Sequence, residues 1–326
     1  MIVPYYDRKS TSSIRKRVWD LLEATAPTTY ERFVLQTRRK IQDFRYSPIT
    51  EGFIKGRLSQ TPFPLFDSIE IETINRCNNT CSFCPVHKGV DPRPPAKMER
   101  SLFDSIVGQL ADVDYAGFVS LYSNNEPLLD SRIADLCKFT KQNLPSATLF
   151  LSTNGMLLTI DRFDELMQHL DCLHINNYNN QLTLLEPHKA IHEYCLKKRH
   201  YEQKTVIIMR KKDQMLSTRG GDAPNRTRIA TFKSSCILPF TQMVIRPDGK
   251  ASLCCNDALG RVTLGDLARD SVLDVWNSER YWEVRKSILN GRKDLSVCRS
   301  CDVFTHPLIS GSVCGLGARC SLNRAL

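Results

Sequence analysis

The chain has 326 residues, 41% of them hydrophobic, and its 45 Lys and Arg outnumber 35 Asp and Glu to give a formal net charge of +10. That length and composition allow one substantial core plus a smaller unit, two or three domains in all, and exclude a disordered chain and a short disulfide scaffold. The opening MIVPYYDRKS offers no apolar secretion signal and no later apolar run is long enough for a membrane span, so the thirteen cysteines are expected to be cytoplasmic and reduced.

Residues 1–66 carry 12 Lys and Arg against 6 Asp and Glu, so +6 of the net charge sits in the first fifth of the chain. Apolar positions there recur at helical spacing, as in Val18, Leu21 and Leu22 and then Phe33, Val34 and Ile41, with a break at Pro27. The pattern predicts two basic amphipathic helices, read as a solvated face rather than a contact with nucleic acid, lipid or an acidic protein. No aromatic-interleaved basic motif of a nucleic-acid module accompanies them. Pro48, Pro62 and Pro64 predict an irregular connector, after which 68–74 (SIEIETI) predicts a strand running into Cys77.

Strands and helices then alternate. Strands are expected at 117–123, 148–152, 172–176 and 205–210, with helices near 132–142, 161–170 and 186–200. Repeated strand-helix units with right-handed crossovers give a parallel α/β sheet, here a partial (β/α) barrel open on one side, with its chemistry at the C-terminal strand ends. Those ends carry Cys77, the run Asn125-Glu126-Pro127, the run 153–155, the pair Asn176 and Asn177, and Arg210. From Cys236 the texture changes to a strand at 243–245, a Pro247-Asp248-Gly249 turn, a strand through Leu253 and a helix over 272–289, a second small α+β unit. The expected domains are a basic helical extension at 1–66, a core at 67–230 and a small domain at 231–326.

Cys77, Cys81 and Cys84 have the spacing C-x3-C-x2-C and supply only three thiolates. A structural zinc or a closed 4Fe-4S cubane takes four ligands, so one metal keeps open positions that a small molecule can fill. Zinc completed by His87 is the alternative. The segment Cys77-Asn-Asn-Thr-Cys81-Ser-Phe-Cys84-Pro resembles the radical S-adenosylmethionine (SAM) signature. That resemblance implies SAM chelated at the unique iron of a 4Fe-4S cluster, reductive cleavage to a 5'-deoxyadenosyl radical, and hydrogen abstraction from an unactivated C–H bond. It also implies Phe83 near the adenine, and Asn125 and Glu126, with Asn where the family has Gly, at the methionyl amine. Ser152, Asn154, Asn176 and Asn177 are placed at the ribose and Arg210 at the carboxylate of SAM. Each of these polar residues could instead cap a turn or helix.

Cys236, Cys254, Cys298 and Cys301 follow C-x17-C-x43-C-x2-C, with Gly249 five residues before Cys254. Four soft thiolates suit zinc or a cubane. The set resembles the SPASM or twitch extension of radical SAM enzymes, which holds an auxiliary 4Fe-4S cluster. Its spacing is closest to the short form found in the class of the butirosin aminocyclitol dehydrogenase and neomycin epimerase. The resemblance implies a small polyhydroxylated substrate, a sugar or aminocyclitol, undergoing dehydrogenation or epimerisation, with Cys255 as a hydrogen-atom donor and Arg219 as a substrate contact. The residues themselves favour Cys255 as a packing thiol, and Arg219 could instead cap a turn. A peptide maturase and a zinc-stabilised nucleic-acid module are the competing readings, and an acidic flavodoxin or ferredoxin is the expected electron donor. Cys137, Cys172 and Cys195 read as packing residues, Cys314 and Cys320 as free surface thiols, and His188 and His192 as a solvated helical face.

Overall fold

A computed structural model describes residues 2–4, 25–26, 36–214, 216–226, 231–303 and 305. Its strands are β1 (Ile2–Pro4), β2 (Ser68–Ile71), β3 (Phe118–Ser120), β4 (Thr148–Thr153), β5 (Cys172–Tyr178), β6 (Thr205–Arg210), β7 (Gln242–Ile245), β8 (Lys250–Ser252) and β9 (Thr263–Asp266). They form one sheet in the order β1-β6-β5-β4-β3-β2-β7-β8-β9. Every pairing from β1 to β7 is parallel, and β7-β8-β9 is antiparallel. The sheet does not close, so the partial barrel expected from the alternation is present, with all five core strands where the sequence predicts them.

The helices are α1 (Gln36–Leu58), α2 (Arg100–Ala111), α3 (Ile133–Asn143), α4 (Ile160–Met167), α5 (Glu186–Lys197), the short α6 (Arg199–Glu202) and α7 (Leu238–Thr241), then α8 (Val272–Trp276), α9 (Glu279–Leu289) and the short α10 (Ser296–Arg299). The sequence reading passed over α2, although Phe103, Ile106, Val107 and Leu110 recur at helical spacing and are all buried. The expected connector at Pro48 is also corrected. α1 runs through that proline because its second half is anchored by buried Thr50, Ile54 and Arg57, the last bonded to Asp67 at 2.9 Å. Val18, Leu21, Leu22, Pro27, Phe33 and Val34 lie outside the described residues. The extension does not begin as a helix: β1 lies beside β6 with Ile2 opposite Ile207.

Two further corrections concern the small unit. β7 pairs with β2 along four residues, so this unit continues the main sheet instead of building its own. The helix expected over 272–289 is two, because Ser278 leaves the helical conformation and caps α9 through Tyr281 N–H. Among the described residues no helix is long and apolar enough to cross a membrane.

Alternation across the pleat separates two chemistries. Ile69 and Ile71 of β2 join the apolar core, while Glu70 lies in register with Ser120 of β3 and is buried with it. Ser152 and His174 pair in the same way on β4 and β5. One face of the sheet is therefore oil and the other a buried polar wall, the wall from which a site can be built.

Candidate active site

Cys77, Cys81 and Cys84 are free thiols on the loop that follows β2. The loop is tightened by Cys84 N–H donating to Cys81 O at 3.1 Å and tied down beyond β6 by Ser82 N–H donating to Lys212 O at 3.0 Å. Asn79 N–H donates to Cys77 Sγ at 3.4 Å, a contact that stabilises a thiolate. Burial pushes the Cys77 and Cys81 thiols up to about 12. Thiolates here require a cation, and iron fits that demand. His87 spends Nδ1 within its own turn, accepting from Gly89 N–H at 3.0 Å.

Glu126 stands at the head of a 3-10 turn (Pro127–Leu129) and is 1% exposed. Its carboxylate accepts from Leu128 N–H at 3.0 Å, Thr153 Oγ1 at 2.6 Å and Asn154 N–H at 2.7 Å, and burial raises its pKa. Glu126 thus locks the end of β3 to the end of β4. Asn154 carries the lock onward, since its Nδ2 donates to Asn78 Oδ1 at 2.7 Å inside the cysteine loop. Asn125 Oδ1 accepts from Ser123 N–H at 3.0 Å.

Across the polar wall, Asn176 Nδ2 donates to Ser152 Oγ at 2.9 Å and Arg210 Nε donates to Asn176 Oδ1 at 2.8 Å. Three of the expected residues therefore form one lateral chain over β4, β5 and β6. Phe83 packs against Tyr178 with ring centroids 5.8 Å apart. Asn177 is a correction. Adjacent strand residues face opposite ways, and its side chain bonds Thr183 O and Leu185 N–H on the far side. His188 is another: it is fully buried, not solvated, with Nε2 2.9 Å from Asn154 O. Gly155 has φ +73, and a Cβ there would sit 2.7 Å from His188 Nε2, so glycine lets the loop lie flat on the histidine.

Cys236, Cys254, Cys298 and Cys301 are buried free thiols, each 8% exposed. Thr305 Oγ1 donates to Cys236 Sγ at 3.5 Å and Val303 N–H to Cys301 Sγ at 3.4 Å. Burial raises Cys254 well above the ordinary thiol range, with the other four thiols, Cys255 among them, adding to the shift. Four buried soft thiolates suit a bound cation, zinc or a cubane alike. Buried Cys137 and Cys195 are free thiols of the packing, whereas buried Cys172 is disulfide-bonded and not the reduced packing thiol expected; Cys314 and Cys320 lie outside the described residues.

A seam the sequence reading missed joins the loop after β3 to Cys255, the neighbour of Cys254. Cys255 N–H donates to Gln242 Oε1 at 3.2 Å, and Gln242 Nε2 donates to Glu70 Oε1 at 2.9 Å. Cys255 O accepts from Asn124 Nδ2 at 3.2 Å and from Arg219 Nη1 at 3.5 Å, and the same Arg219 nitrogen is 3.4 Å from Asn124 Oδ1. Arg219 is held at φ +48, a left-handed conformation that costs a non-glycine residue energy and marks an imposed geometry. Gly220 and Gly221 serve close packing rather than ligand space. Their absent side chains admit Val297 and Ser300 beside the auxiliary cysteines, at 2.6 and 2.8 Å from a built Cβ. Asn124 precedes the 125–127 run, a signal that could have flagged it.

Beneath the seam, Arg93 gives its shortest bonds to Asp91 (2.9 and 3.0 Å) and longer ones to Glu72 (3.3 and 3.4 Å), and it also donates to Asn124 O at 3.0 Å. Asp91, its nearer partner, favours the charged form of Arg93 although burial opposes it. For Glu72 the lesser share of the guanidinium does not offset burial, and its carboxyl is pushed up to about 8.

Sequence profiles agree with this geometry. The radical SAM superfamily matches residues 71–203, and the SPASM iron-sulfur cluster-binding domain matches 236–302. The chain is 27% identical over 240 residues to the S-adenosyl-L-methionine-dependent 2-deoxy-scyllo-inosamine dehydrogenase of Niallia circulans, covering 73% of this chain and 93% of that one. The crystal structure of BtrN in complex with AdoMet and 2-DOIA superposes with a TM-score of 0.65 at 25% identity, covering 74% of this chain and 95% of BtrN. Native anSMEcpe with bound AdoMet shares the fold at a TM-score of 0.51 and 12% identity, over 72% of this chain and 89% of the other. The chain thus carries a radical SAM domain followed by a SPASM iron-sulfur cluster-binding domain.

Proposed function

We propose that the protein is a radical SAM dehydrogenase that oxidises a secondary alcohol of an aminocyclitol or related sugar-like ring. The observation that carries the reading is Arg219, strained and seated on Asn124 and the Cys255 carbonyl beside Cys254. The relationship to a 2-deoxy-scyllo-inosamine dehydrogenase along 93% of that enzyme supports the substrate class. We assign 67–230 as the radical SAM core and 231–326 as the auxiliary domain.

Cys77, Cys81 and Cys84 would hold the SAM-binding cluster, and Cys236, Cys254, Cys298 and Cys301 the auxiliary one. Bound there, the two clusters and SAM supply homolytic hydrogen removal from carbon and an acceptor for the second electron. The chain's own residues do the rest. Glu126 and Asn154 fix the loops around the methionyl end, while Ser152, Asn176 and Arg210 present a polar row for the ribose and carboxylate. Phe83 offers a ring to the adenine. The planar fork of Arg219 suits vicinal hydroxyls, and the buried seam around it keeps water from the reacting carbon. Glu72 keeps a proton near neutral pH. The thiol of Cys255 takes Asn256 Nδ2 at 3.6 Å and packs, so dehydrogenation does not need it.

A cytoplasmic flavodoxin or ferredoxin would deliver the first electron. The deciding experiment is anaerobic incubation of the reconstituted protein with SAM, reductant and a panel of aminocyclitols. One ketone formed per 5'-deoxyadenosine is expected; 5'-deoxyadenosine with no ring oxidised rejects the substrate class, and none at all rejects the chemistry. If Cys255→Ala abolishes an inversion of the substrate carbon, the enzyme is an epimerase instead.

A further inference from the structure

We propose that α1 is a clamp on the auxiliary cysteine set, with Arg39 and Asp43 as its positioning residues. The inference rests on the reading that Cys236, Cys254, Cys298 and Cys301 hold a cluster. α1 lies before residue 71, where the superfamily match begins, and the sequence offers its basic face only as a solvated surface. Its polar residues are instead spent on the auxiliary site.

Asp43 accepts from Lys233 N–H at 2.9 Å, from Ser234 N–H at 3.3 Å and from Ser234 Oγ at 2.5 Å, which fixes the stretch leading into Cys236. One helical turn earlier, on the same face, Arg39 Nη2 pairs with Asp302 Oδ2 at 2.9 Å, next to Cys301. The Asp302 side chain is only 3% exposed, and it also accepts from Thr218 N–H at 2.7 Å and pairs with Arg226 at 3.3 Å. Arg292 closes the same gap from the other side, donating to Ser234 O at 3.0 Å and Val303 O at 2.8 Å. The guanidinium groups of Arg39 and Arg292 both lie over the Phe232 ring, 5.8 and 5.5 Å from its centroid.

Cys236 and the Cys298/Cys301 pair are more than 60 residues apart in sequence. Thr305 and Arg292 tie the two segments from one side. α1 ties them from the other, and because Asp302 holds Thr218, the helix also fixes the loop that aims Arg219.

The test compares the full-length reconstituted holoenzyme with its Arg39→Ala/Asp43→Ala variant. Three readouts are taken anaerobically: iron release to a chelator, the electron paramagnetic resonance spectrum of the reduced protein, and 5'-deoxyadenosine formed without substrate. Outer-shell losses typically weaken metal retention 10–100-fold. Release of about half of the roughly eight irons should therefore quicken at least about tenfold. One set of resonances should shift, and substrate-free 5'-deoxyadenosine should stay within about twofold, because the described contacts of the 77–84 loop do not include α1. Arg39→Lys should restore most of the retention. Unchanged iron release and spectra in the double variant overturn the clamp. If that variant does not fold, Asp43→Asn gives the intermediate case: unchanged release there, with full folding, overturns the clamp equally. Cys298→Ala is the separate control. Full iron content in that variant defeats the cluster assignment itself, whatever α1 does.

Discussion

The two cysteine sets are gathered by opposite means. Three thiols lie within eight consecutive residues of one loop, and a few bonds, such as Ser82 to Lys212 O and Asn154 to Asn78, suffice to seat it. The other four come from three segments between 236 and 301, converging only because β7, Arg292, Asp302 and α1 hold those segments from several sides. A site built on local chain can sit at a strand end of almost any partial barrel. A site built from distant segments depends on the rest of the fold, and so reports its failures separately.

The largest expected effects separate the two sets. Cys81→Ala should remove 5'-deoxyadenosine formation by about three orders of magnitude or more, because the cofactor carries the chemistry. Cys298→Ala should retain substrate-free 5'-deoxyadenosine while ketone formation is lost. If the two variants lose both products alike, the division of labour between the sets is wrong.

Next in size is Gly220→Ala. At φ +64 a side chain is strained, and its Cβ would fall 2.6 Å from Val297 Cγ1. The combined cost is about 3 kcal/mol of stability. Chemical denaturation should show it, and the loss should concentrate in the auxiliary set. A variant as stable as wild type would mean that the loop does not lie on the cysteine segment.

Arg219→Lys should lower kcat/KM by roughly 30-fold, about 2 kcal/mol, by trading a two-pronged donor for a point charge. Asn124→Ala should do less, about 1 kcal/mol, by freeing Arg219 to reorient. Its signature is uncoupling, more 5'-deoxyadenosine per ketone. Equal falls in both products would argue that Asn124 acts on SAM and not on Arg219.

What could be read in advance follows the same division. The strand alternation and the 77–84 loop were legible because period-2 apolar runs and a short cysteine spacing are local signals. Asn176 and Asn177 show where locality misleads: both sit at a strand end, yet the pleat allows only one to face the site. Gln242, Asp302 and His188 were not legible, and Asn124 only by its place before the 125–127 run, since each gains its role from a partner 13 to 131 residues away. Arg39 and Asp43 looked like solvent charges for the same reason. No neighbour in sequence tells a helix face whether it meets water or a loop.

The last prediction is a slope. Glu72 is buried beside Arg93, and its carboxyl is pushed up from 4.5 to about 8 because burial outweighs a guanidinium shared with Asp91. Below pH 4.5 the folded and unfolded chains both hold the proton, so Glu72 costs nothing there. Between 4.5 and 8 the unfolded chain releases a proton that the native carboxyl keeps. Stability must therefore fall as pH rises through that window, by up to about 1.4 kcal/mol per pH unit, and level off above it. Glu72→Gln should flatten that part of the curve, measured by thermal unfolding of the apo protein from pH 5 to 8, while leaving the Cys81 and Cys298 phenotypes distinct. An unchanged slope would mean that Arg93 keeps Glu72 ionised. The buried wall under the seam would then be a fixed ion pair, and Glu72 would hold no proton beside Asn124.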